Sequence, residues 1–484
     1  MNNSDIAAAL TEEVEHERRI SAGAESRIYY SAANPGLAIK KYRSIDSLDY
    51  FKSEILLYGV LGNFVNSDEV VRLVEAWSQS QLEGAPSAEE DVVRREVLMR
   101  GQYAAPDRFG GVMMSGPGGP NPLFPTVFGG MFGVKNLRLV MERFTKDGCD
   151  LAHGPTQLPV RVVESIVAQI DKALTYIHGA GYVHADVKTS NIFLRREVKN
   201  YLDPDARDVA VVLGDFSITS KVGTTFPLDG SSPFYSPSVH LGNKPTPADD
   251  FWALGATAYE LGFGRRLFSS RHYADLLRWT GGDCPALVEG KVSATSDDKE
   301  IEDKAADDDC RTAEDRGRSD TSESDDGFYD AYGEETGDES SSDTEDESKD
   351  ALDQLSMVAA VYGPYPEELL PSLEDPARYK LLCDFDGWPI NIKTKKKYSI
   401  QYLYSQHLAD QANKSAALAA STAELSTSSS AAPLTESSAT ASAAPKKIYT
   451  RPAADVDTLA SMVQKYFDDW KILQISLAAP LYSV

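Results

Sequence analysis

Short apolar runs bounded by polar residues recur along the chain and predict buried β-strands. The clearest are Leu37–Ile39, Tyr182–Val183 and Val209–Leu213, which have the length of strands rather than of helices. Two longer segments, 51–61 and 159–178, instead carry apolar side chains every three or four residues, and this spacing predicts helices with one buried face. Gly179 and Gly181 are expected to end the second helix.

Two polar motifs directly follow two of these predicted strands. The octet His184–Asn191 (His-Ala-Asp-Val-Lys-Thr-Ser-Asn) comes after Tyr182–Val183, and Asp215-Phe216-Ser217 comes after Val209–Leu213. Together they supply a carboxylate, an ammonium, an amide and a second carboxylate. Transfer of the terminal phosphoryl group of ATP requires such groups, because it depends on positioning and on neutralising charge on the transferring oxygens.

Each of these residues has an expected role. Asp186 would accept or orient the proton of the substrate hydroxyl, and Lys188 would steady the γ-phosphate. Asn191 and Asp215 would hold Mg²⁺ through oxygen ligands, which this hard cation prefers. The octet taken alone is also compatible with a polar surface loop, so the interpretation depends on the rest of the chain.

A lysine and a glutamate earlier in the chain complete the set. Lys40 follows the apolar residues of the first predicted strand and is placed to bind the α- and β-phosphates of ATP. Glu54 lies on the first predicted helix, where it would pair with Lys40. A single glutamate on a helix is more often a solvated surface charge, but the order of strand lysine, helix glutamate, octet and Asp-Phe motif favours pairing.

In this order of parts the sequence resembles the eukaryotic protein kinases, from about Ile20 to Phe268 with insertions and more faintly beyond. The resemblance implies an α+β, bilobal protein-kinase fold with a small β-rich N-lobe, a larger and mainly helical C-lobe, and disordered insertions. It also implies ATP-dependent transfer of the γ-phosphoryl group to protein hydroxyls. Lys188 favours serine and threonine acceptors, as does the segment 230–238, which is similar to the family's G-T-x-x-Y-x-A-P-E with Ser231 in place of Thr.

The resemblance assigns further residues to the nucleotide site and to its support. Leu139–Phe144 resembles the fifth strand and hinge, and Asp250 is similar to the aspartate that braces the backbone of the catalytic loop. The catalytic residues that it implies are Lys40, Glu54, Asp186 and Lys188, and the metal ligands are Asn191 and Asp215. The residues expected to contact ATP or its metal ion are Ser21, Ala22, Gly23, Ala24, Ile28, Ala38, Lys40, Met141, Glu142, Phe144, Asn191 and Asp215.

Four departures from the family pattern bear on activity. The phosphate loop keeps one glycine, Gly23, which weakens or reshapes its grip on phosphates. Ala185 replaces an arginine that pairs with a phosphorylated activation segment in many members, which predicts activity without that phosphorylation. Ser217 replaces a glycine. Ser238 replaces a glutamate whose arginine partner is also missing, and losing both partners of a buried ion pair costs far less than losing one.

A second hypothesis is a pseudokinase, in which the fold is kept as a protein-binding scaffold after catalysis is lost. The altered phosphate loop and activation segment favour it. A scaffold, however, has no chemical need for all six polar residues together. Their joint retention therefore favours catalysis: Lys40, Glu54, Asp186, Lys188, Asn191 and Asp215.

The expected domain boundaries follow the composition. The N-lobe and hinge are expected at 15–144 with a flexible insertion at about 79–136, whose Gly116–Pro120 run disfavours regular structure. The remaining expected segments are the first part of the C-lobe at 145–292, an acidic disordered insertion at 293–350, a continuation of the C-lobe at 351–412, an Ala/Ser-rich flexible linker at 413–447 and the terminal C-lobe helices at 448–484.

The acidic insertion carries most of the chain's charge. The formal net charge is −26, and residues 297–350 contain 24 acidic and 6 basic side chains. Such a segment cannot bury enough apolar surface to fold, and a solvated spacer is the favoured interpretation. The alternative is a docking tail that attracts basic protein substrates.

The remaining features restrict the setting of the protein. No apolar run reaches the roughly 18 residues of a membrane span. The four cysteines, Cys149, Cys284, Cys310 and Cys383, have no paired or metal-ligand spacing, which fits a reducing compartment. We expect a monomer without a membrane or direct nucleic-acid partner, located in the cytoplasm, the nucleus or both.

A subclass is also indicated. Residues 355–366 and 378–387 resemble the large-lobe insert of the CMGC kinases, especially the branch that phosphorylates splicing factors. Ser232 and Tyr235 depart from that group, which usually carries arginine at both positions.

Overall fold

A computed structural model describes residues 19–22, 26–42, 47–61, 70–80, 91–95, 115–116, 119–120, 134–154, 156–196, 209–224, 230–280, 353–376, 398–428 and 450–478. Within these ranges a large sheet forms before residue 143, and most of the helices follow residue 147. The α+β, two-lobed fold that the sequence implies is confirmed.

One six-stranded antiparallel sheet forms the N-lobe. Its strands are β1 (Arg19–Ala22), β2 (Ser26–Tyr30), β3 (Leu37–Tyr42), β4 (Leu73–Ser80), β5 (Asp91–Arg95) and β8 (Val134–Glu142). They lie side by side in the order β1-β2-β3-β8-β4-β5. The chain therefore leaves the sheet at its edge strand β5 and returns as β8 between β3 and β4.

The insertion predicted at about 79–136 contains regular structure. β5 lies inside it, and two further short strands, β6 (Ser115–Gly116) and β7 (Gly119–Pro120), pair with each other in antiparallel register. The expectation that the Gly116–Pro120 run disfavours regular structure is wrong for these residues. Turn-forming residues between two short segments allow the segments to pair as a hairpin.

Helix α1 (Leu48–Val60) packs on the sheet beside β3, which confirms the helix predicted at 51–61. Its buried residues Phe51 and Ile55 share a hydrophobic core with Tyr42 of β3, and the rings of Tyr42 and Phe51 meet edge-on at 5.5 Å. Glu54 on the same helix is fully buried. A charged residue therefore points into the interior of the N-lobe, where it needs partners.

Helices dominate the C-lobe. They are α2 (Gly148–Ala152), α3 (Val160–Gly179), α4 (Pro237–His240), α5 (Pro247–Phe263), α6 (Ser270–Trp279), a helix over 353–361, α7 (Ile400–Ser428) and α8 (Ala453–Ala478). Trp252 of α5 is fully buried, and its ring stacks on Phe467 of α8 at 4.3 Å and meets Trp470 at 5.1 Å. Helix α8 is thus part of the core of this lobe.

Two short antiparallel pairs of strands frame the predicted motifs. They are β9 (Tyr182–Val183) with β12 (Ser220–Lys221), and β10 (Ile192–Arg196) with β11 (Ala210–Leu213). The octet lies between β9 and β10, and Asp215 lies two residues after β11, as the apolar runs predicted. Helix α3 ends at Gly179, and Gly181 has a φ of 83°, a left-handed conformation that favours glycine.

Helix α7 continues past the boundary predicted for the Ala/Ser-rich linker. Its helical backbone extends to Ser428, so the prediction of a flexible linker is wrong for 413–428. Alanine has the highest helix propensity of all residues, and this stretch is rich in alanine, which explains the continuation. The rest of the predicted linker and the acidic insertion at 293–350 lie outside the described residues.

Cys149, near the start of α2, is disulfide-bonded. The cysteine spacing, which showed no pairing, did not indicate this bond. Pairing depends on proximity in space, which the spacing of scattered cysteines does not reveal. Among the described helices, none combines the length and the apolar content of a membrane span.

Candidate active site

Lys40 joins the two carboxylates at the centre of the site. Its Nζ lies 2.8 Å from Oε2 of Glu54 and 2.7 Å from Oδ1 of Asp215. β3 carries Lys40, α1 carries Glu54 and the turn after β11 carries Asp215, so three elements far apart in sequence meet at one ammonium group. The Asp215 side chain is 37% exposed, whereas Lys40 and Glu54 are buried, and the cluster therefore opens to solvent at Asp215.

The charges in this cluster stabilise each other. Burial alone would lower the pKa of Lys40, but the nearby Asp215 and Glu54 outweigh burial and raise this pKa above its usual value. Burial would raise the pKa of Asp215, but Lys40 and the hydrogen bond from Ser217 hold it well below its usual range. Lys40 is therefore a cation and Asp215 an anion at neutral pH, the charge states needed to bind a phosphate and a metal ion.

The octet holds Asp186 in a defined orientation. Oδ1 of Asp186 accepts a hydrogen bond from the backbone N–H of Ser231 at 3.1 Å, and Oδ2 accepts one from Nδ2 of Asn191 at 2.9 Å. Nζ of Lys188 lies 3.3 Å from Oδ2 of Asp186 and donates to Oγ of Ser231 at 2.7 Å. Ser231 therefore contacts both residues from the position where the family has threonine.

Asp250 braces the backbone of the octet, as predicted. Its two carboxylate oxygens accept hydrogen bonds from the backbone N–H groups of His184 at 2.8 Å and Ala185 at 2.9 Å. Nε2 of His178 lies 2.7 Å from Oδ2 of Asp250. Ala185 has a φ of 67°, a left-handed conformation that is uncommon for a residue other than glycine. A carboxylate in the first turn of α5 thus fixes a bend in the loop that carries Asp186.

Several residues predicted to contact ATP share one face of the N-lobe sheet. In the strand register Ile28 pairs with Lys40, and Ala38 pairs with Met141. Directly paired residues point to the same face, and so do residues two apart on one strand. Ile28, Ala38 and Met141 therefore lie on the face from which Lys40 reaches Glu54.

The other predicted contacts belong to β1, to the residues after it and to the hinge. Ser21 and Ala22 end β1, and Gly23 and Ala24 lie outside the described residues. At the hinge, a carboxylate oxygen of Glu142 lies 3.1 Å from the guanidinium of Arg195 in β10. The Phe144 ring stacks on Phe193 at 5.4 Å. These two contacts fasten the hinge to the C-lobe.

Two oxygen atoms in the site remain to coordinate a metal ion. Asp215 uses Oδ1 for Lys40 and Ser217, and Asn191 uses Nδ2 for Asp186. Within the described residues, Oδ2 of Asp215 and Oδ1 of Asn191 have no hydrogen-bond partner. A carboxylate oxygen and an amide oxygen fit a hard divalent cation, whose other ligands are phosphate oxygens and water. The described ranges hold no separate cluster of three or more His, Cys, Asp or Glu side chains suited to a metal.

A family model described as the protein kinase domain matches residues 130–303, which include the octet, the Asp-Phe motif and α5. The chain contains a eukaryotic-like protein kinase domain. Lys40 and Glu54 of this kinase domain precede the matched residues, and the hydrogen bonds of Lys40 connect them to Asp215 inside it.

Curated relatives of the kinase domain are similar over part of their length. Serine/threonine-protein kinase ArnS of Sulfolobus acidocaldarius is 34% identical over 110 residues, which are 21% of this chain and 17% of that protein. Serine/threonine-protein kinase ppk11 of Schizosaccharomyces pombe is 30% identical over 141 residues, 28% of this chain and 42% of that protein. PknK of Mycobacterium tuberculosis is 35% identical over 146 residues, 28% of this chain and 12% of that protein. The chain thus spans less than half the length of these relatives, and the resemblance to the CMGC branch stays a prediction.

Ser217 fits the kinase domain without strain in place of glycine. In the described ranges the left-handed residues other than glycine are Ala185 and Asp215, so Ser217 has a conformation that ordinary residues adopt. Its Oγ donates to Oδ1 of Asp215 at 2.9 Å. The replacement therefore adds a hydrogen bond to the predicted metal ligand.

A hydrogen-bond network around Asp249 lies where the family's glutamate would need its arginine. Oδ1 of Asp249 accepts from the hydroxyls of Ser236 at 2.5 Å and Ser238 at 2.8 Å. It also accepts from two side chains of α8, Nε1 of Trp470 at 3.0 Å and Nε2 of Gln474 at 2.9 Å. All four donors are neutral, and buried polar groups satisfied in this way need no ion pair. This network explains how the kinase domain tolerates the loss of both charged residues.

Tyr42 belongs to the charged cluster of the kinase domain, although the sequence did not predict it there. Its hydroxyl donates to Oε2 of Glu54 at 2.5 Å. One signal was present, because Tyr42 lies two residues after Lys40 on β3 and therefore points to the same face. Tyrosine is also an ordinary residue of half-buried strands, so the pattern alone does not mark it as functional.

Proposed function

We propose that this chain is an ATP-dependent protein serine/threonine kinase that uses Mg²⁺. Protein kinases as a family use ATP and a divalent metal ion and act on protein substrates. The observation that carries the proposal is the junction at Lys40, whose Nζ lies 2.8 Å from Glu54 and 2.7 Å from Asp215. Burying an ion pair seldom adds stability, so a scaffold would have little reason to keep this cluster.

The N-lobe residues would bind the phosphates. Lys40 carries the positive charge for the α- and β-phosphates, and Glu54 keeps the Lys40 side chain extended toward the cleft. Asn191 and Asp215 would hold Mg²⁺ through their unpaired oxygens, and the bound ion supplies neutralisation of charge on the phosphate oxygens.

Asp186 would orient the acceptor hydroxyl and take its proton. Ser231 and Asn191 already hold one carboxylate oxygen each, so the group is ordered before substrate binds and little reorganisation is needed during transfer. Lys188 lies beside Asp186 and would place a positive charge near the transferring phosphoryl group.

Two observations support serine and threonine as acceptors. A lysine two residues after the catalytic aspartate is typical of serine/threonine kinases, and here Lys188 contacts both Asp186 and Ser231. The relatives ArnS, ppk11 and PknK are each named as serine/threonine-protein kinases. A monomeric state and a cytoplasmic or nuclear location belong to the same proposal. Docking of basic protein substrates on the acidic insertion is the alternative to a solvated spacer there.

The test is transfer of radiolabelled phosphate from ATP to a mixture of Ser/Thr-containing and Tyr-containing peptides. Asp186→Asn keeps the shape of the side chain and removes its basicity, so we expect transfer to fall by about a hundredfold or more. The matched control is Asp468→Asn on the exposed side of α8, which removes the same charge and should leave the rate unchanged. Equal signals from wild type and Asp186→Asn would favour the scaffold instead.

A further inference from the structure

Tyr42 is the second donor to the carboxylate of Glu54. Its hydroxyl lies 2.5 Å from Oε2, the oxygen that Nζ of Lys40 contacts at 2.8 Å. The other oxygen, Oε1, is buried and has no hydrogen-bond partner in the described part of the chain. All the hydrogen bonding of a fully buried carboxylate therefore converges on one atom, and without Tyr42 this carboxylate would keep Lys40 as its single donor.

The tyrosine ring is held in place by its surroundings. Phe51 of α1 meets it edge-on at 5.5 Å with an interplanar angle of 82°, and Nζ of Lys40 lies 5.4 Å from its centroid. Burial and, after it, the negative charge of Glu54 raise the pKa of the Tyr42 hydroxyl well above its usual value. The hydroxyl therefore stays protonated and remains a donor throughout the neutral pH range.

Tyr42 and Lys40 lie on β3, whereas Glu54 lies on α1. The strand and the helix are thus joined by two hydrogen bonds that end on the same oxygen. Nζ of Lys40 also binds Asp215 and, in the proposed function, the phosphates, so its three donors are shared among several acceptors. The hydroxyl of Tyr42 donates to Glu54 alone. This bond can therefore hold α1 against β3 while Lys40 binds the phosphates.

We propose that Tyr42 is a positioning residue for phosphoryl transfer: its hydroxyl holds Glu54, and with it α1, against β3 so that Lys40 is presented to the nucleotide. The kinetic part of this inference rests on the proposed kinase activity. Tyr42 acts through Glu54 and Lys40. Its loss should therefore lower kcat more than it changes the KM for ATP, because correct placement of Lys40 matters most in the transition state.

The test compares two tyrosines with buried hydroxyls. Tyr42→Phe keeps the ring and its contact with Phe51 and removes the bond to Glu54. Tyr58→Phe is the matched control on α1, since the hydroxyl of Tyr58 is buried without a hydrogen-bond partner among the described residues. We expect kcat to fall about tenfold in Tyr42→Phe, the scale of one lost hydrogen bond to a charged group, and to stay unchanged in Tyr58→Phe.

A second measurement does not depend on turnover. Amide hydrogen exchange in α1, recorded without nucleotide, should become faster in Tyr42→Phe and remain as in wild type in Tyr58→Phe, because the bond that holds this helix to β3 is missing in the first variant alone. The same pair of measurements in a Glu54→Leu background should show no further effect of Tyr42→Phe, since the acceptor of the hydroxyl is gone.

The outcomes separate this inference from the proposed function. Wild-type protein without any transfer would overturn the kinase proposal, and exchange in α1 would then decide the role of Tyr42 by itself. With active wild type, the inference is wrong if Tyr42→Phe matches wild type in kcat and exchange. It is also wrong if Tyr58→Phe has the same effect, or if the effect of Tyr42→Phe persists in full in the Glu54→Leu background.

Discussion

Ala185 has no charged group with which to receive a phosphorylated activation segment, and the cluster of Lys40, Glu54 and Asp215 is already assembled in the unmodified chain. Thr224 is exposed, and its hydroxyl donates to the backbone oxygen of Lys221 at 2.7 Å. Thr225 lies outside the described residues. Nothing in this arrangement calls for a phosphate to organise the site.

We therefore expect activity to be independent of phosphorylation in the activation segment. Protein treated with phosphatase should keep its rate, and replacing both Thr224 and Thr225 with alanine should change kcat less than about twofold, because Ala185 offers no positive charge to a phosphate added to this segment. Initial rates before and after phosphatase, with the modification state checked by mass spectrometry, measure this. An enzyme that is inert until Thr224 or Thr225 is phosphorylated would contradict the expectation.

The charged residues of the site were predictable because the chemistry restricts their types. A phosphate contact calls for a cation such as Lys40, and a metal ligand calls for an oxygen donor such as Asp215. Their hydroxyl partners were not predictable. Tyr42 and Ser217 belong to residue types that occur in many cores and loops, and whether a hydroxyl meets a carboxylate depends on distances that the sequence pattern does not encode.

Among the secondary-structure elements, the Asp249 network ties the activation segment to the C-terminal helix. Ser236 caps the start of α4, and Ser238 lies in its first turn. Asp249 lies in the first turn of α5, and Trp470 and Gln474 lie on α8. The segment that carries Ser231 is thus anchored to two helices through a single carboxylate. Introducing a glutamate at Ser238 and an arginine at Gln474 tests whether the neutral network takes the place of the family's glutamate–arginine pair.

Ser238→Glu should destabilise the domain by about 3–5 kcal/mol, since it buries a second carboxylate beside Asp249 without a cation. Adding Gln474→Arg should recover a large part of this loss, because Nε2 of Gln474 lies 3.4 Å from Oγ of Ser238 and 2.9 Å from Asp249. Denaturant unfolding of the single and double variants gives the free energies. Ser238→Gln is the control for size, as it adds the same bulk without charge.

Two outcomes would contradict this interpretation of the network. The first is an equal loss of stability in Ser238→Gln and Ser238→Glu, which would mean that crowding rather than charge destabilises the site. The second is a double variant no more stable than Ser238→Glu alone, which would mean that position 474 cannot supply the missing arginine.

Elements with a strong apolar period were predictable, whereas weakly patterned segments were not. Helix α3 matches its prediction within a residue or two, because a buried face imposes the period. The part of α7 beyond 413 is rich in alanine, and the high helix propensity of alanine accounts for its helical backbone. For β6 and β7, composition identified turn-forming residues without showing that their neighbours pair.

For the whole molecule, the acidic insertion separates parts of the C-lobe that nevertheless pack together. The ring of Tyr362, which follows the insertion, meets Trp252 at 5.2 Å and Trp470 at 5.7 Å. Residues from both sides of the acidic insertion therefore share one core, although the insertion itself is rich in charged side chains.

Deleting 297–350 and joining the ends with a short Gly/Ser linker should leave the melting temperature and kcat on a neutral peptide unchanged. The same variant discriminates the two hypotheses about the insertion. If the insertion is a docking tail, the deletion variant should have a higher KM than wild type for lysine-rich substrates at low ionic strength. At high salt the two KM values should be equal, because salt screens the electrostatic steering. A solvated spacer predicts no change in KM. A lowered melting temperature would contradict both, since it would assign the segment a structural role.

The extent of the family match shows a limit of sequence comparison for this chain. It begins at residue 130, near the end of the interval between β5 and β8, and leaves out the strand of Lys40 and the helix of Glu54. A long insertion interrupts the N-lobe in sequence and adds β5 to the edge of the sheet, yet β8 still pairs with β3 and β4. The N-lobe was recognisable through the chemistry of two residues and their order along the chain.

The position of α8 along the chain has a consequence for biosynthesis. Phe467 and Trp470 of this helix pack on Trp252 in the core of the C-lobe. The ribosome translates them only after the acidic insertion and the Ala/Ser-rich segment at 413–447. Until these residues have been made, Trp252 lacks two of the rings that pack on it in the folded lobe. A premature stop codon anywhere between 280 and 453 would therefore abolish folding of the lobe even though every residue of the catalytic cluster had already been made.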